Sequence, residues 1–329
     1  MRGRGRVRTA FLLLVGAGAT ACLAWLSSAA GLLSSGVGSR QPGAGVVEIS
    51  ATTNRVLRQV ELGAPNDVET GLGSTWVTDT RASSATVAQL PPGPTRGATR
   101  VELTRATATS PDNLAVGEGA VWTTVGDVLY RLDPARTGAA RRIGTFARGG
   151  LLSGVDVGAG ALWIADATRR TLIRLDPASL RTKVVIPLPS AADGVAVGEG
   201  AIWVPSIQGN SVFKISPHPG RVVRAIHLEG VGNGVAVGAG SVWVTAPRRD
   251  AVAGIDPVSG RVTWIAVGKA PTDVCVSRGS VWVANSGRST VSRIDPSTRK
   301  VVGTVRVPRR PNRIAADERS VWVTFLGAP

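Results

Sequence analysis

Leu114-Ala-Val-Gly-Glu-Gly-Ala-Val-Trp122, Val195-Ala-Val-Gly-Glu-Gly-Ala-Ile-Trp203 and Val235-Ala-Val-Gly-Ala-Gly-Ser-Val-Trp243 are three copies of one frame. Each is a short β-branched run, a tight Gly-x-Gly turn and a second such run, which predicts a β-hairpin because glycine supplies the positive φ the turn demands. The tryptophan that marks the frame recurs as Trp76, Trp122, Trp163, Trp203, Trp243, Trp282 and Trp322, at spacings of 46, 41, 40, 40, 39 and 40 residues. Seven near-equal periods of about 40 residues are the signature of a β-propeller.

About ten residues after each tryptophan a second pair of runs follows, as in Val291 to Ile294 and Val301 to Val307, joined at Asp295-Pro296. The same turn recurs as Asp133-Pro134, Asp176-Pro177 and Asp256-Pro257, with Ser216-Pro217 as a variant. Proline fixes φ and aspartate bonds the backbone two residues on, so the pair starts a turn. Each repeat therefore reads as four antiparallel strands, a to d, with no helix between them. The chain stops seven residues after Trp322, leaving the last a/b hairpin without its c/d pair. The missing pair stands at the other end, as Val46 to Ile49 and Arg55 to Leu62. The expected fold is an all-β, seven-bladed propeller over residues 46–329, its closing blade shared between N- and C-terminal strands. That closure removes the open sheet edges of a ring.

The composition fits an ordered chain, with 43% hydrophobic and 18% charged residues in 329. Nine Trp against four Phe and one Tyr is the odd entry, and the repeats absorb seven of the nine. Trp25 falls in an apolar leader, and Trp264 lies off the period in a strand d, where packing between blades is the expectation. The two cysteines, Cys22 and Cys275, give neither a disulfide framework nor a zinc constellation. Cys275 takes the strand-a place of Ala196 and Ala236, which predicts a buried, inert thiol.

Residues 1–30 read as an export signal or a signal anchor. Arg2, Arg4, Arg6 and Arg8 precede an uncharged stretch from Thr9 to Ser39 containing Ser28-Ala29-Ala30. Cleavage after Ala30 and retention as an anchor through residues 10–33 both fit, and Ala19-Thr20-Ala21-Cys22 offers a weaker lipoprotein reading. All three place the body outside the cytoplasm, after a linker over 31–45. The net charge of +16 falls to +11 once the four leader arginines and Arg40 are set aside.

The stretch Ser280-Val-Trp-Val-Ala-Asn-Ser-Gly-Arg-Ser-Thr-Val-Ser-Arg-Ile-Asp-Pro resembles the YVTN-repeat β-propellers, with Trp282 at the signature Tyr and Asn285 at the signature Asn. The Val-Gly-x-Gly-x-Val-Trp frame is also similar to virginiamycin B lyase-like propellers. That resemblance implies seven blades and, in the lyases, a metal-dependent opening of a cyclic peptide ester by a histidine and acidic residues. Only His218 and His227 exist here, one in a c/d turn and the other at the end of an outer strand, so the lyase chemistry is not expected to carry over. No nucleophile elbow, phosphate-cradling loop or metal-binding histidine pair is present.

A propeller binds at the loops joining d to the next a, and b to c, on one face around the channel. Ten residues before each tryptophan stand Asn66, Asp112, Ser153, Asp193, Asn233, Thr272 and Asn312; three after it stand Asp79, Asp166 and Asn285. Asn66, Asp79, Asp112, Asp166, Asp193, Asn233, Asn285 and Asn312 are thus the candidate ligand-binding residues of a polar channel mouth. The rival reading is that such residues cap their own backbone after a loop. The pairs Arg169-Arg170, Arg248-Arg249 and Arg309-Arg310 fall on the same face and form a candidate anion-binding set. The function expected is a non-catalytic, monomeric binding module of the cell envelope, with no metal and no cofactor. Its partner would be an unidentified protein or a polar or anionic envelope ligand. Nucleic acid is disfavoured, because stacking platforms are few outside the tryptophan ring. The alternative is a virginiamycin B lyase-like enzyme or another propeller hydrolase.

Overall fold

A computed structural model describes residues 43–81, 84–93, 98–104, 111–134, 140–146 and 148–327. The expected signal or anchor, residues 1–30, and most of the linker lie outside them, as do Cys22 and Trp25. Among the described residues no helix is long and apolar enough to cross a membrane.

The strands form seven four-stranded antiparallel sheets, each built from consecutive strands in the order a-b-c-d except the last. Blades 1 to 6 occupy residues 64–104, 111–145, 152–187, 196–227, 235–266 and 271–306. Blade 7 takes strand a from Pro311–Ala316, b from Ser320–Phe325, c from Gly45–Ser50 and d from Val56–Glu61, as the sequence predicts. Strand c of this blade pairs with strand b along its length, from Gly45 opposite Phe325 to Ser50 opposite Ser320. A clasp of charge fixes that seam. Glu48 accepts a hydrogen bond from Ser320 Oγ at 2.6 Å and holds Arg58 Nε at 2.6 Å, and the Arg58 guanidinium covers the Trp322 ring at 5.0 Å.

The two glycines of the repeated frame do different work. The second sits in the hairpin turn, where both central residues take positive φ, 48° at Glu199 and 71° at Gly200. The first faces the next blade. A Cβ on Gly198 would lie 2.6 Å from Val237 Cγ1, and one on Gly158 would lie 2.6 Å from Val197 Cγ1. The Val-Gly pair is thus an interlocking device, the glycine of one blade receiving the valine of the next. The same glycine's carbonyl accepts the indole N–H of its own tryptophan, at 3.0 to 3.2 Å in blades 1 to 5.

The periodic tryptophans are buried, each at 3% exposure or less, and six of them carry a cation over the ring. In blades 2, 3, 4 and 6 the cation comes from the residue directly opposite on strand c: Arg131, Arg174, Lys214 and Arg293. In blade 5 that place is Gly254, and Arg299 of blade 6 fills it, 4.8 Å from the Trp243 ring. Several of these cations also reach the next blade. Lys214 Nζ donates to the Pro257 carbonyl at 2.7 Å, and Arg174 donates to the Pro217 carbonyl at 3.4 Å. Part of the basic excess is therefore structural, holding tryptophan and neighbouring turn together. Trp264 is half-buried against the core between blades 4 and 5, and Arg249 covers it at 4.4 Å.

Candidate functional site: the acid-lined channel

The innermost strands surround a central channel with a cavity of about 260 Å³. Its wall is mostly glycine, alanine and valine, since seven inner strands crowd one axis. Against that background four carboxylates stand out, Asp67 and Glu69 in blade 1, Asp156 in blade 3 and Asp273 in blade 6, with Asp193 nearer the mouth and a single facing cation, Arg313 of blade 7.

Three of these carboxylates bridge blades. Asp67 accepts from Val68 N–H at 2.9 Å and from Leu114 N–H of blade 2 at 2.8 Å. Asp156 accepts from Val157 N–H and from Val197 N–H of blade 4, both at 2.7 Å. Asp273 accepts from Ile314 N–H of blade 7 at 3.0 Å, and Arg313 lies 4.0 Å from its other oxygen. An inner strand is the edge of its sheet, so these acceptors satisfy backbone donors that no strand pairs.

Burial dominates the electrostatics. It pushes Asp156 up to about 6 against its two backbone bonds, and Asp273 up to about 6 against the attraction of Arg313. At the mouth it raises Asp112 to about 6, again opposed by Arg313. Asp67 and Asp193 are also raised by burial. Glu69 is raised well above the carboxylate range, first by burial and then by the charges of Asp67, Asp156 and Asp273. The Cys275 thiol is pushed up by burial and by Asp273 and Glu69, which keeps it protonated and unreactive at neutral pH.

The eight mouth residues expected from the sequence divide into two sets. Asp193 and Asn233 line the channel. Asn312 Nδ2 donates to Asn66 Oδ1 at 3.0 Å, and Asn66 Nδ2 donates to Asp112 Oδ1 at 3.2 Å, a polar arc across blades 7, 1 and 2. Asn113 to Leu152 and Ser153 to Ala192 continue the arc with donations to backbone carbonyls at 3.0 and 2.7 Å. These side chains tie neighbouring blades together, whereas Asp193 accepts from Ile207 N–H of its own blade at 2.7 Å, a backbone bond of the kind in the rival reading.

Asp79, Asp166 and Asn285 are fully buried and do not line the channel. Asp166 and Asn285 end strand b and Asp79 lies two residues before its end: Asp79 accepts from Gly63 and Ala64 N–H, both at 2.8 Å, Asp166 from Arg169 N–H at 2.9 Å, and Asn285 donates to Ser292 Oγ at 2.9 Å. The six arginines lie on three separate loops. Arg169 pairs with Asp166 at 3.1 Å, Arg249 is stacked on Trp264, and Arg309 packs its guanidinium against Gly43; Arg170, Arg248 and Arg310 are exposed.

Reasoning from the sequence did not place Asp67, Glu69, Asp156, Asp273 or Arg313 in the channel. The signal was present: nine and seven residues before the tryptophans, seven of the fourteen places are Gly or Ala, and these five residues, with Asn113 and Cys275, are the departures. His218, bonded to Arg174 at 2.9 Å, and His227, on the outer strand of blade 4, lie away from the channel. Among the described residues no group of three or more His, Cys, Asp or Glu is arranged to hold a metal ion.

No protein-family model matches this sequence, and no curated protein matches it. Solved structures do. Virginiamycin B lyase from Staphylococcus aureus superposes with a TM-score of 0.68 at 15% identity, covering 86% of this chain and 100% of that one. A catalytically inactive form of that lyase with quinupristin gives a TM-score of 0.68 at 16% identity, with the same coverage. Apo AztD from Citrobacter koseri gives 0.60 at 13%, covering 87% of this chain and 100% of that one. At such identities the likeness is one of architecture: the chain has the seven-bladed propeller fold of the virginiamycin B lyase-like proteins.

Proposed function

We propose that this chain is an exported binding module without catalytic chemistry, and that it takes a cationic, hydrogen-bond-donating group of its ligand at the channel mouth. The observation that carries the reading is the channel's charge: four carboxylates in the wall and Asp193 near the mouth, against Arg313 alone. Burial holds Asp156 and Asp273 partly protonated near pH 6 and raises Asp67, Glu69 and Asp193 as well, and an incoming ammonium or guanidinium group offsets that penalty. Arg313 already shows the arrangement, its guanidinium set beside Asp273.

The test is calorimetric titration of the protein with spermidine, arginine methyl ester and citrate at pH 5 and pH 7.5. The cations bind at pH 7.5 and lose about tenfold in affinity at pH 5, because the carboxylates must be ionised to attract them. Citrate does not bind. Binding of citrate alone, or cation binding unchanged by Asp193→Asn, overturns the reading. The resemblance to the lyases implies a channel histidine, and this chain's two histidines stand away from the channel. Turnover of quinupristin, the ligand bound to the S. aureus lyase variant, would establish that alternative in its place.

A further inference from the structure

The face that carries the channel mouth is also the face on which the described chain begins. Strand c of blade 7 starts at Gly45, opposite Phe325 at the mouth end of strand b. Gly43 lies against the Arg309 guanidinium in the loop that leads into blade 7. Residues 9–39 contain no charge, and the apolar stretch 10–33 ends ten residues before Gly43. Ten residues span at most about 35 Å fully extended, and a flexible chain of that length averages roughly 18 Å.

That same face is basic. Its exposed loop residues include Arg169, Arg170, Arg248, Arg249, Lys269 and Arg310, while the exposed acids of its described residues are Glu229 and Asp250 in the loops and Glu61 at the mouth end of blade 7's strand d. Both loop acids are engaged, Glu229 beside Arg249 at 3.9 Å and Asp250 accepting from Ala270 N–H at 2.9 Å. On the opposite face exposed acids, Glu118, Glu199, Asp317 and Glu318, stand among the bases. The cationic residues stand on the loops and do not line the channel, whose carboxylates stand on the inner strands with Asp193 near the mouth.

We propose that the cationic loops of the mouth face are a docking surface for an anionic phospholipid membrane. Attachment through a short tether holds the face at millimolar effective concentration near the lipid, so weakly attracting arginines suffice. Guanidinium groups bond phosphate in pairs, and each base near an anionic surface shifts the docked fraction about fivefold. The proposal goes beyond the channel reading and does not depend on it. The apolar segment, rather than charge alone, favours a lipid surface over a soluble polyanion.

The four lysines provide the readout, because Lys269 lies exposed in the loop joining blade 5 to blade 6 and Lys300 lies exposed at the opposite end of blade 6. The full chain is inserted in liposomes and its outward-facing copies are acetylated with a membrane-impermeant reagent, with the Lys269-to-Lys300 ratio read by mass spectrometry. With phosphatidylglycerol in the bilayer, Lys269 labelling drops about tenfold relative to Lys300. It returns in about 0.5 M salt, where the Debye length shrinks to a few ångströms. In pure phosphatidylcholine there is no drop. Replacing Arg170, Arg248 and Arg310 by Gln removes the protection, with tryptophan emission confirming that the variant is folded. Equal labelling on the two bilayers, or protection that persists in salt or in the folded variant, overturns the proposal; if the variant does not fold, the wild-type lipid comparison and salt reversal decide it. If heparin protects Lys269 equally well on neutral liposomes, the face belongs to a soluble polyanion and not to lipid.

Discussion

Glu69 is the channel residue with the most unfavourable surroundings. Burial and the charges of Asp67, Asp156 and Asp273 all oppose its ionisation, and Arg313 is not among the groups that shift it. A carboxyl raised in the folded state binds its proton there more tightly than in the unfolded chain. Its contribution to stability is therefore complete below the ordinary value near 4 and is lost as pH rises through the folded value. Asp112, Asp156 and Asp273, at about 6, act in the same sense between about pH 4 and 6. The protein is accordingly expected to resist urea better at pH 5 than at pH 8. Glu69→Gln flattens this slope: no gain below about pH 4, and a gap opening above it to on the order of 1 kcal/mol by pH 8, measured by urea denaturation at each pH. An unchanged slope in the variant would show that Glu69 binds its proton no more tightly in the folded protein than in the unfolded chain. The sequence carried these residues only as exceptions to a repeat, whereas Asp79, Asp166 and Asn285 were conspicuous as a recurring position. That place holds Val125, Ala246 and Phe325 in other blades, so its polar residues serve local ties near the end of strand b rather than a need of every blade; the channel chemistry sits where the Gly and Ala of the inner strands give way.

At the scale of the element, the blade was legible almost strand by strand, because period-two hydrophobic runs, Asp-Pro turns and tryptophan spacing each encode local geometry. The contacts between blades were not legible in the same way, since they join residues some 40 positions apart. The first glycine of the frame was read as turn chemistry, yet its neighbour is a valine of the next blade. Gly198→Ala is expected to cost 1–3 kcal/mol, roughly the penalty of overpacking a well-filled core. Adding Val237→Ala should recover part of it, a coupling that a double-mutant cycle by chemical denaturation would measure. The sixth interface already carries a related exchange, with Ser277 at the glycine place and Ala316 at the valine place. Failure of the double variant to recover would mean that the alanine clashes with backbone rather than with Val237. The arginines follow the same logic. In the sequence they looked like surface charge, and only strand register shows Arg131, Arg174 and Arg293 lying across from tryptophans.

For the molecule as a whole, the decisive joint is the one between the chain's two ends. Glu48, with 14% of its side chain exposed, holds Ser320 on one side and Arg58 on the other. Glu48→Ala removes two charge-assisted bonds and is expected to cost about 2–3 kcal/mol, lowering the urea midpoint without changing its slope. A drop in slope would instead signal that the ring opens before the blades unfold. The joint also sets a timetable. Strands c and d of blade 7 are the first to be made, and they have no partner until Ser320–Phe325 is the last to arrive. While the six intervening blades are being made, the chain is an open arc with an unpaired hairpin at one end. The ring closes only once Ser320–Phe325 has emerged and is free to pair, so completion of the fold waits on the synthesis of all six.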